Sequence, residues 1–179
     1  AEIQRLKAAW DGPFAVNVPL LYPDVEAHME TIAAAGVPVV FTSAGSPKKW
    51  TGFLKEAGAT VIHVVSSATF ARKAEDAGVD AVVAEGFEAG GHNGREETTT
   101  MCLVPEVVDA VSIPVIAAGG LHDARSMLAA LALGASGVQM VRTGDLSMMV
   151  VTQFVDEATG MSAQEKIAEI RSKATEEFP

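Results

Sequence analysis

A histidine set among three glycines is the most chemically pointed feature of this 179-residue chain. It lies in Glu85-Gly86-Phe87-Glu88-Ala89-Gly90-Gly91-His92-Asn93-Gly94, directly after Asp80-Ala81-Val82-Val83-Ala84, an apolar run that reads as a buried strand. Gly90, Gly91 and Gly94 let the backbone approach a ligand closely and adopt positive φ, and an imidazole can give or take a proton near neutral pH. His92 is therefore a candidate catalytic residue. Taken alone, Gly-Gly-His fits a tight turn with a solvated ring equally well.

A second segment points to an anion. Ile113-Pro114-Val115-Ile116-Ala117-Ala118-Gly119-Gly120-Leu121 runs into a helical pattern from Asp123 to Leu133, so bare amides face outward at a strand-to-helix turn. The alternative is a tight connection in which Asp123 merely caps the helix. Neither Gly-x-x-x-x-Gly-Lys-[Ser/Thr] nor Gly-x-Gly-x-x-Gly occurs, which argues against a P-loop and a dinucleotide site and leaves a mononucleotide phosphate as the ligand.

The elements that must position these segments repeat. Six apolar or β-branched runs, at 14–18, 37–42, 60–65, 81–84, 114–118 and 137–140, alternate with alanine-rich helical patterns at 25–35, 50–57, 68–77 and 124–133 that stop at Gly36, Gly58, Gly78 and Gly134. This is a parallel α/β pattern with strands buried on both faces, as in a doubly wound sheet or a (β/α)8 barrel. Polar or glycine-bearing residues follow nearly every strand, and a barrel gathers such ends at one active-site face.

Composition excludes several classes. With 49% hydrophobic and 20% charged residues the chain is long enough for one buried core. No apolar stretch is long enough to cross a membrane, and the amphipathic start Ala1-Glu2-Ile3-Gln4-Arg5-Leu6-Lys7 lacks a signal-peptide core, so a cytoplasmic protein is expected. A net charge of -10 with no basic cluster beyond Lys48-Lys49 disfavours nucleic acid. Cys102 stands alone and is expected to be a small buried hydrophobe, while His28, His63, His92 and His122 are too scattered for a metal cluster, so no metal is expected. His28 and His122 read as surface residues.

Three segments together resemble the nitronate monooxygenase (2-nitropropane dioxygenase) family and its relative, the FMN-dependent enoyl-acyl-carrier-protein reductase II: Thr42-Ser43-Ala44-Gly45-Ser46-Pro47; Glu85 to Gly94 with Thr98-Thr99-Thr100-Met101; and Ile116-Ala117-Ala118-Gly119-Gly120 with Gly134-Ala135-Ser136-Gly137-Val138-Gln139. The resemblance runs from about Phe14 to Met140. It implies an α/β fold of the (β/α)8 TIM barrel type, incomplete in this chain because the first two βα units are absent. It implies FMN as cofactor, with Gly90, Gly91, Gly119 and Gly120 along it, the phosphate at Gly119 and Gly120, and Gln139 and Asn17 near the flavin. His63 matches a position from which many members direct a basic residue towards the cofactor, Glu85 an acidic position beside it, and His92 the catalytic histidine. A protonated His63 would stabilise the anionic reduced flavin.

The chain departs from that family after Met140, where Val141-Arg142-Thr143-Gly144-Asp145-Leu146 replaces a Gly-[Thr/Ser]-Arg-Phe-like segment. Residues 1–140 are thus expected to form the FMN-binding barrel portion and 141–179 a divergent C-terminal segment, with Met148-Met149-Val150-Val151 as core or interface and a terminal helix opened by Ser162-Ala163-Gln164-Glu165. Strand edges left open favour a homo-oligomer. The leading expectation is oxidation of a small nitronate with O2. The alternatives are reduction of an enoyl thioester with NAD(P)H, a non-catalytic phosphate-binding fragment, and a flavin-free phosphate-sugar barrel enzyme.

Overall fold

The structure, a computed structural model, describes residues 2–144 and 147–154. In chain order the elements are α1 (Glu2–Ala9), β1 (Ala15–Pro19), α2 (Val25–Ala34), β2 (Val39–Ser43), α3 (Lys48–Glu56), β3 (Thr60–Val65), α4 (Ala68–Asp76), β4 (Ala81–Glu85), α5 (Thr100–Val108), β5 (Val115–Ala118), α6 (Ala124–Ala132), β6 (Gly137–Gly144) and β7 (Ser147–Phe154). Strands β1 to β6 pair in parallel in sequence order. Their curled sheet with alternating helices is an incomplete (β/α) TIM barrel, as the sequence pattern and the resemblance imply.

All six expected strands form. β2 begins after Pro38 and β5 after Pro114, because proline has no N–H to give the ladder. The four expected helices also form, and each stops where Gly36, Gly58, Gly78 or Gly134 takes positive φ, a left-handed cap that other residues adopt at a cost. Two elements escape the sequence pattern. Helix α5 carries Pro105 in its interior and three threonines at its start, all poor helix signals, and its apolar residues hold it by packing. Leu103, Val104 and Val107 on it are fully buried.

Strand β7, which contains the Met148 to Val151 run, pairs antiparallel with β6, in register from Gly137 opposite Phe154 to Gly144 opposite Ser147. It is not another βα unit. The expected helix from Ser162 lies outside the described residues. Cys102 is exposed on α5, because its neighbours Leu103 and Val104 occupy the buried face; the expectation of a buried thiol is corrected. No described helix is long and apolar enough to cross a membrane.

Strands β2 to β5 separate two apolar layers. On one side Val40, Val61, Val65, Val82, Ala84, Val115, Ala117 and Val138 pack with Met29, Ile32, Leu54, Leu103, Val104, Val107 and Met127 from the helices. On the other, Ile62, Ala81, Val83, Ile116 and Ala118 form a smaller cluster edged by Val39, Phe41 and Val64. That second cluster lines the inner, concave face. Leu54 on α3 is fully buried in the larger layer, so Leu54→Ala should cost about 2–5 kcal/mol in a denaturant melt. A loss below about 1 kcal/mol would show that the helix layer does not close over β2 and β3.

Candidate functional site

Strand alternation sorts the candidate residues by face. Asn17 pairs with Phe41, and Ala118 sits between Glu85 on one side and Gln139 on the other. Phe41 and Ala118 belong to the inner cluster, so Asn17, Glu85 and Gln139 all project from the inner face. His63 pairs with Thr42 and Val82 and projects to the helix side.

After β4 the chain folds back on itself. Ala89 N–H donates to Gly86 O at 3.0 Å and Phe87 N–H to Thr98 O at 2.9 Å. Asn93 Nδ2 donates to Phe87 O at 2.9 Å and Ala89 O at 3.1 Å, closing a compact loop that leaves Gly90, Gly91 and His92 exposed at its tip. Glu85 at its base lies among Ser66, Phe87, Gly94, Glu97 and Thr98. Burial raises the Glu85 carboxyl above the ordinary carboxylate range.

The turn after β5 abuts this loop. A Cβ on Gly119 would lie 2.8 Å from Gly86 O, 3.0 Å from Thr100 Oγ1 and 3.2 Å from Ala89 N, so glycine is required by close approach. A Cβ on Gly120 would meet Glu88 Cβ at 3.0 Å. Both glycines have positive φ, 101° and 65°. At α6 the Asp123 carboxylate takes the Arg125 and Ser126 amides, and Ser126 Oγ takes those of His122 and Asp123. The helix start is thus already capped, as the alternative reading of Asp123 foresaw. The amides left for an anion belong to the turn: among the described residues, neither Gly120 N–H nor Leu121 N–H donates to a protein acceptor.

One more group awaits a partner. Gln139 Oε1 is buried and accepts no hydrogen bond, which costs free energy until an N–H or O–H arrives. A flavin N3–H is such a donor, and the free turn amides suit its phosphate. The residues present therefore fit FMN: Gly120 and Leu121 would face its phosphate and Gln139 its ring. Among the described residues no cluster of His, Cys, Asp and Glu suits a metal.

His63 is 5% exposed, and its Nδ1 lies 2.8 Å from Thr42 Oγ1. Burial lowers its pKa to about 4, against backbone bonds at Gly45 and Thr42 that favour the charged form. A ring neutral at pH 7 and turned to the helix side does not supply a cation to the inner face. What it does is brace the segment after β2, where Ala44 and Gly45 take φ of 51° and 114°. Asn17 lies on β1, the edge strand of the described sheet, where it borders a cleft of about 220 Å3 with Tyr22, His28 and Thr31, and three strands away from β4 and the His92 loop. His28 and His122 are exposed, as expected.

Sequence reasoning passed over Glu88, Asn93 and Thr100 as site residues. Glu88 Oε2 accepts from Thr100 N–H at 2.9 Å and Thr100 Oγ1 at 3.0 Å, and Thr100 Oγ1 also lies 2.9 Å from Gly119 O. These bonds span 12 and 19 residues, a separation that no local spacing rule reaches.

A family model described as nitronate monooxygenase matches residues 1–144. Among curated proteins, a 5-hydroxy-7a-methyl-1-oxo-octahydro-1H-indene-4-carboxyl-CoA dehydrogenase of Mycobacterium tuberculosis is 43% identical over 143 residues, covering 78% of this chain and 40% of that protein. Among solved structures, FabK from Thermotoga maritima superposes with a TM-score of 0.74 at 50% identity, over 77% of this chain and 44% of that one. A nitroalkane oxidase from Streptomyces ansochromogenes gives 0.68 at 29% identity, over 78% and 52%. The chain spans about two fifths of the curated relative's length.

The state of His63 has a measurable consequence. Its folded pKa lies below the unfolded value of about 6.5, so the unfolded chain binds the proton first and stability falls as pH drops from about 6.5 to about 4. The loss should approach about 3 kcal/mol across that window in the wild type. His63→Gln should remove the slope specific to this window, as read by denaturant melts at successive pH values; an unchanged slope would contradict the buried neutral ring.

Proposed function

This chain belongs to the nitronate monooxygenase family, and from that premise we propose that it is an FMN-dependent oxidoreductase that oxidises small alkyl nitronates with O2. The observation that carries the reading is the junction of the His92 loop with the Gly119–Gly120 turn, where Ala89 and Gly86 touch Gly119. That junction ties the loop that carries His92 to the glycine turn with unbonded amides, at the strand ends where Glu85 and Gln139 enter the inner face. When bound, FMN supplies the two-electron acceptor that nitronate oxidation requires and that O2 reoxidises.

The protein's own part is binding and proton handling. His92, exposed on its glycine-rich tip, hydrogen-bonds a nitronate oxygen, or takes the α-proton from a neutral nitroalkane. Gln139 Oε1 would accept a hydrogen bond from a bound flavin, and the turn amides would hold its phosphate. Glu85, whose carboxyl burial raises above the ordinary carboxylate range, stands at the base of the same loop.

A second reading has its own support. Half of the residues aligned with FabK are identical, and the family resemblance makes that protein an enoyl-acyl-carrier-protein reductase II. The substrate would then be an enoyl thioester and the reductant NAD(P)H. A net charge of -10 works against docking an acidic carrier protein.

Anaerobic mixing separates the two. Bleaching of the bound flavin by a nitronate supports the first, and bleaching by NAD(P)H with reoxidation by a crotonyl thioester supports the second. His92→Ala should keep the visible flavin spectrum and lower turnover by about 100-fold. Turnover at the wild-type rate in that variant would remove the histidine from the chemistry.

A further inference from the structure

We propose that Thr100, with Glu88, is the positioning residue that locks the His92 loop to the anion-binding turn so that the two move as one unit. The proposal rests on the FMN reading for its catalytic consequence, but not for its geometry. Thr100 is one of the few buried polar residues among those described, and its hydroxyl sits where three segments meet. Towards the loop it bonds Glu88 Oε2 at 3.0 Å; towards the turn it lies 2.9 Å from Gly119 O and 3.4 Å from Ala118 O. Its amide opens α5 and donates to the same Glu88 oxygen at 2.9 Å.

The surrounding backbone leaves no slack. A Cβ on Gly86 would stand 2.5 Å from Thr100 N and 2.7 Å from Thr100 Cα, so β4 runs into α5 at a distance only glycine allows. Glu88 also covers Gly120, so its side chain touches both partners of the junction. Asn93 then carries the constraint on to the next residue, His92, through its bonds to Phe87 O and Ala89 O. A hydroxyl can donate once and accept twice, and Thr100 Oγ1 faces one carboxylate and two carbonyls, all acceptors. Its single proton is shared between loop and turn, so a displacement of either alters its bond to the other.

An ordinary helix cap would explain only part of this. The capping position, Thr99, makes no side-chain cap bond, and Glu88 serves α5 instead. Capping accounts for the Glu88 bond to the Thr100 amide. It does not account for a hydroxyl held against Gly119 O across 19 residues. Burial works to raise the Glu88 carboxyl, and the Thr100 bonds outweigh it, so the group titrates below its ordinary value. The clasp is therefore fully formed at neutral pH and loosens as pH falls through that lowered value.

The test uses the full chain and two readouts. Hydrogen exchange without cofactor reports on the loop and turn directly, and FMN titration followed by flavin absorbance reports on their consequence. Thr100→Val removes the hydroxyl while keeping the shape. It should speed exchange about tenfold at the bonded amides of both segments, Gly86, Phe87 and Ala89 in the loop and His122 after the turn, leave the middle of α5 unchanged, and weaken FMN binding by about tenfold, the size of one lost hydrogen bond. Thr100→Ser should restore both. Should Thr100→Val fail to fold, Glu88→Ala, whose side chain is exposed, should give the same paired increase in exchange. Faster exchange confined to the first turn of α5, or in only one of the two segments, would overturn the proposal. Failure of the wild type to take up FMN would sink the functional reading alone, since the exchange result still decides whether loop and turn are coupled.

Discussion

The close contact between the strand-end segments after β4 and β5 is the constraint on which this site depends. Gly86 and Gly119 approach each other and Thr100 so tightly that no side chain fits between, and the backbone itself becomes the packing surface. Such contact fixes relative position better than side chains do, because a backbone in a sheet has few alternative conformations. The cost is that polar backbone groups are brought together in a confined place and must be satisfied there. The Thr100 hydroxyl and the Glu88 carboxylate meet that need, one against Gly119 O and the other at the start of α5.

The sheet supplies the other half of the arrangement. Its helix-facing layer holds the larger apolar cluster, while the inner layer is built largely from small or β-branched residues at Ala81, Val83, Ile116 and Ala118. Small side chains in that row leave room for what projects beside them, and the polar residues Glu85 and Gln139 flank Ala118 in register. His63 belongs to the opposite layer. Its ring is kept neutral by burial and spends its hydrogen bond on Thr42, so it supports the strand ends from behind.

The elements most legible in the sequence were those with local signals. Glycine after each alanine-rich helix, proline before β2 and β5, and β-branched runs between them place the first five strands and four of the helices within a residue or two, while β6 runs four residues beyond Met140. The His92 loop and the Gly119–Gly120 turn were visible for the same reason, since glycine density is a property of a few adjacent residues. Two kinds of information were not local. The face on which His63 points depends on strand register, and a shift of one residue reverses it. The pairing of Glu88 with Thr100 and of Thr100 with Gly119 exists only once β4, α5 and β5 are assembled. Helix α5 was hidden by Pro105 and its threonines, and the exposure of Cys102 followed from the phase of that helix. Strand β7 was hidden differently: an apolar run such as 148–151 is compatible with many partners, and its antiparallel pairing to β6 is not written in the run itself.

The most direct test of this account follows the backbone and side-chain amide resonances of the isotopically labelled chain as FMN is added. The account requires Gly120 and Leu121 N–H, the Gln139 side-chain amide and the His92 ring to shift along a single saturable isotherm. Saturation confined to the cleft around Tyr22 and His28, or no saturation at any residue, would contradict it.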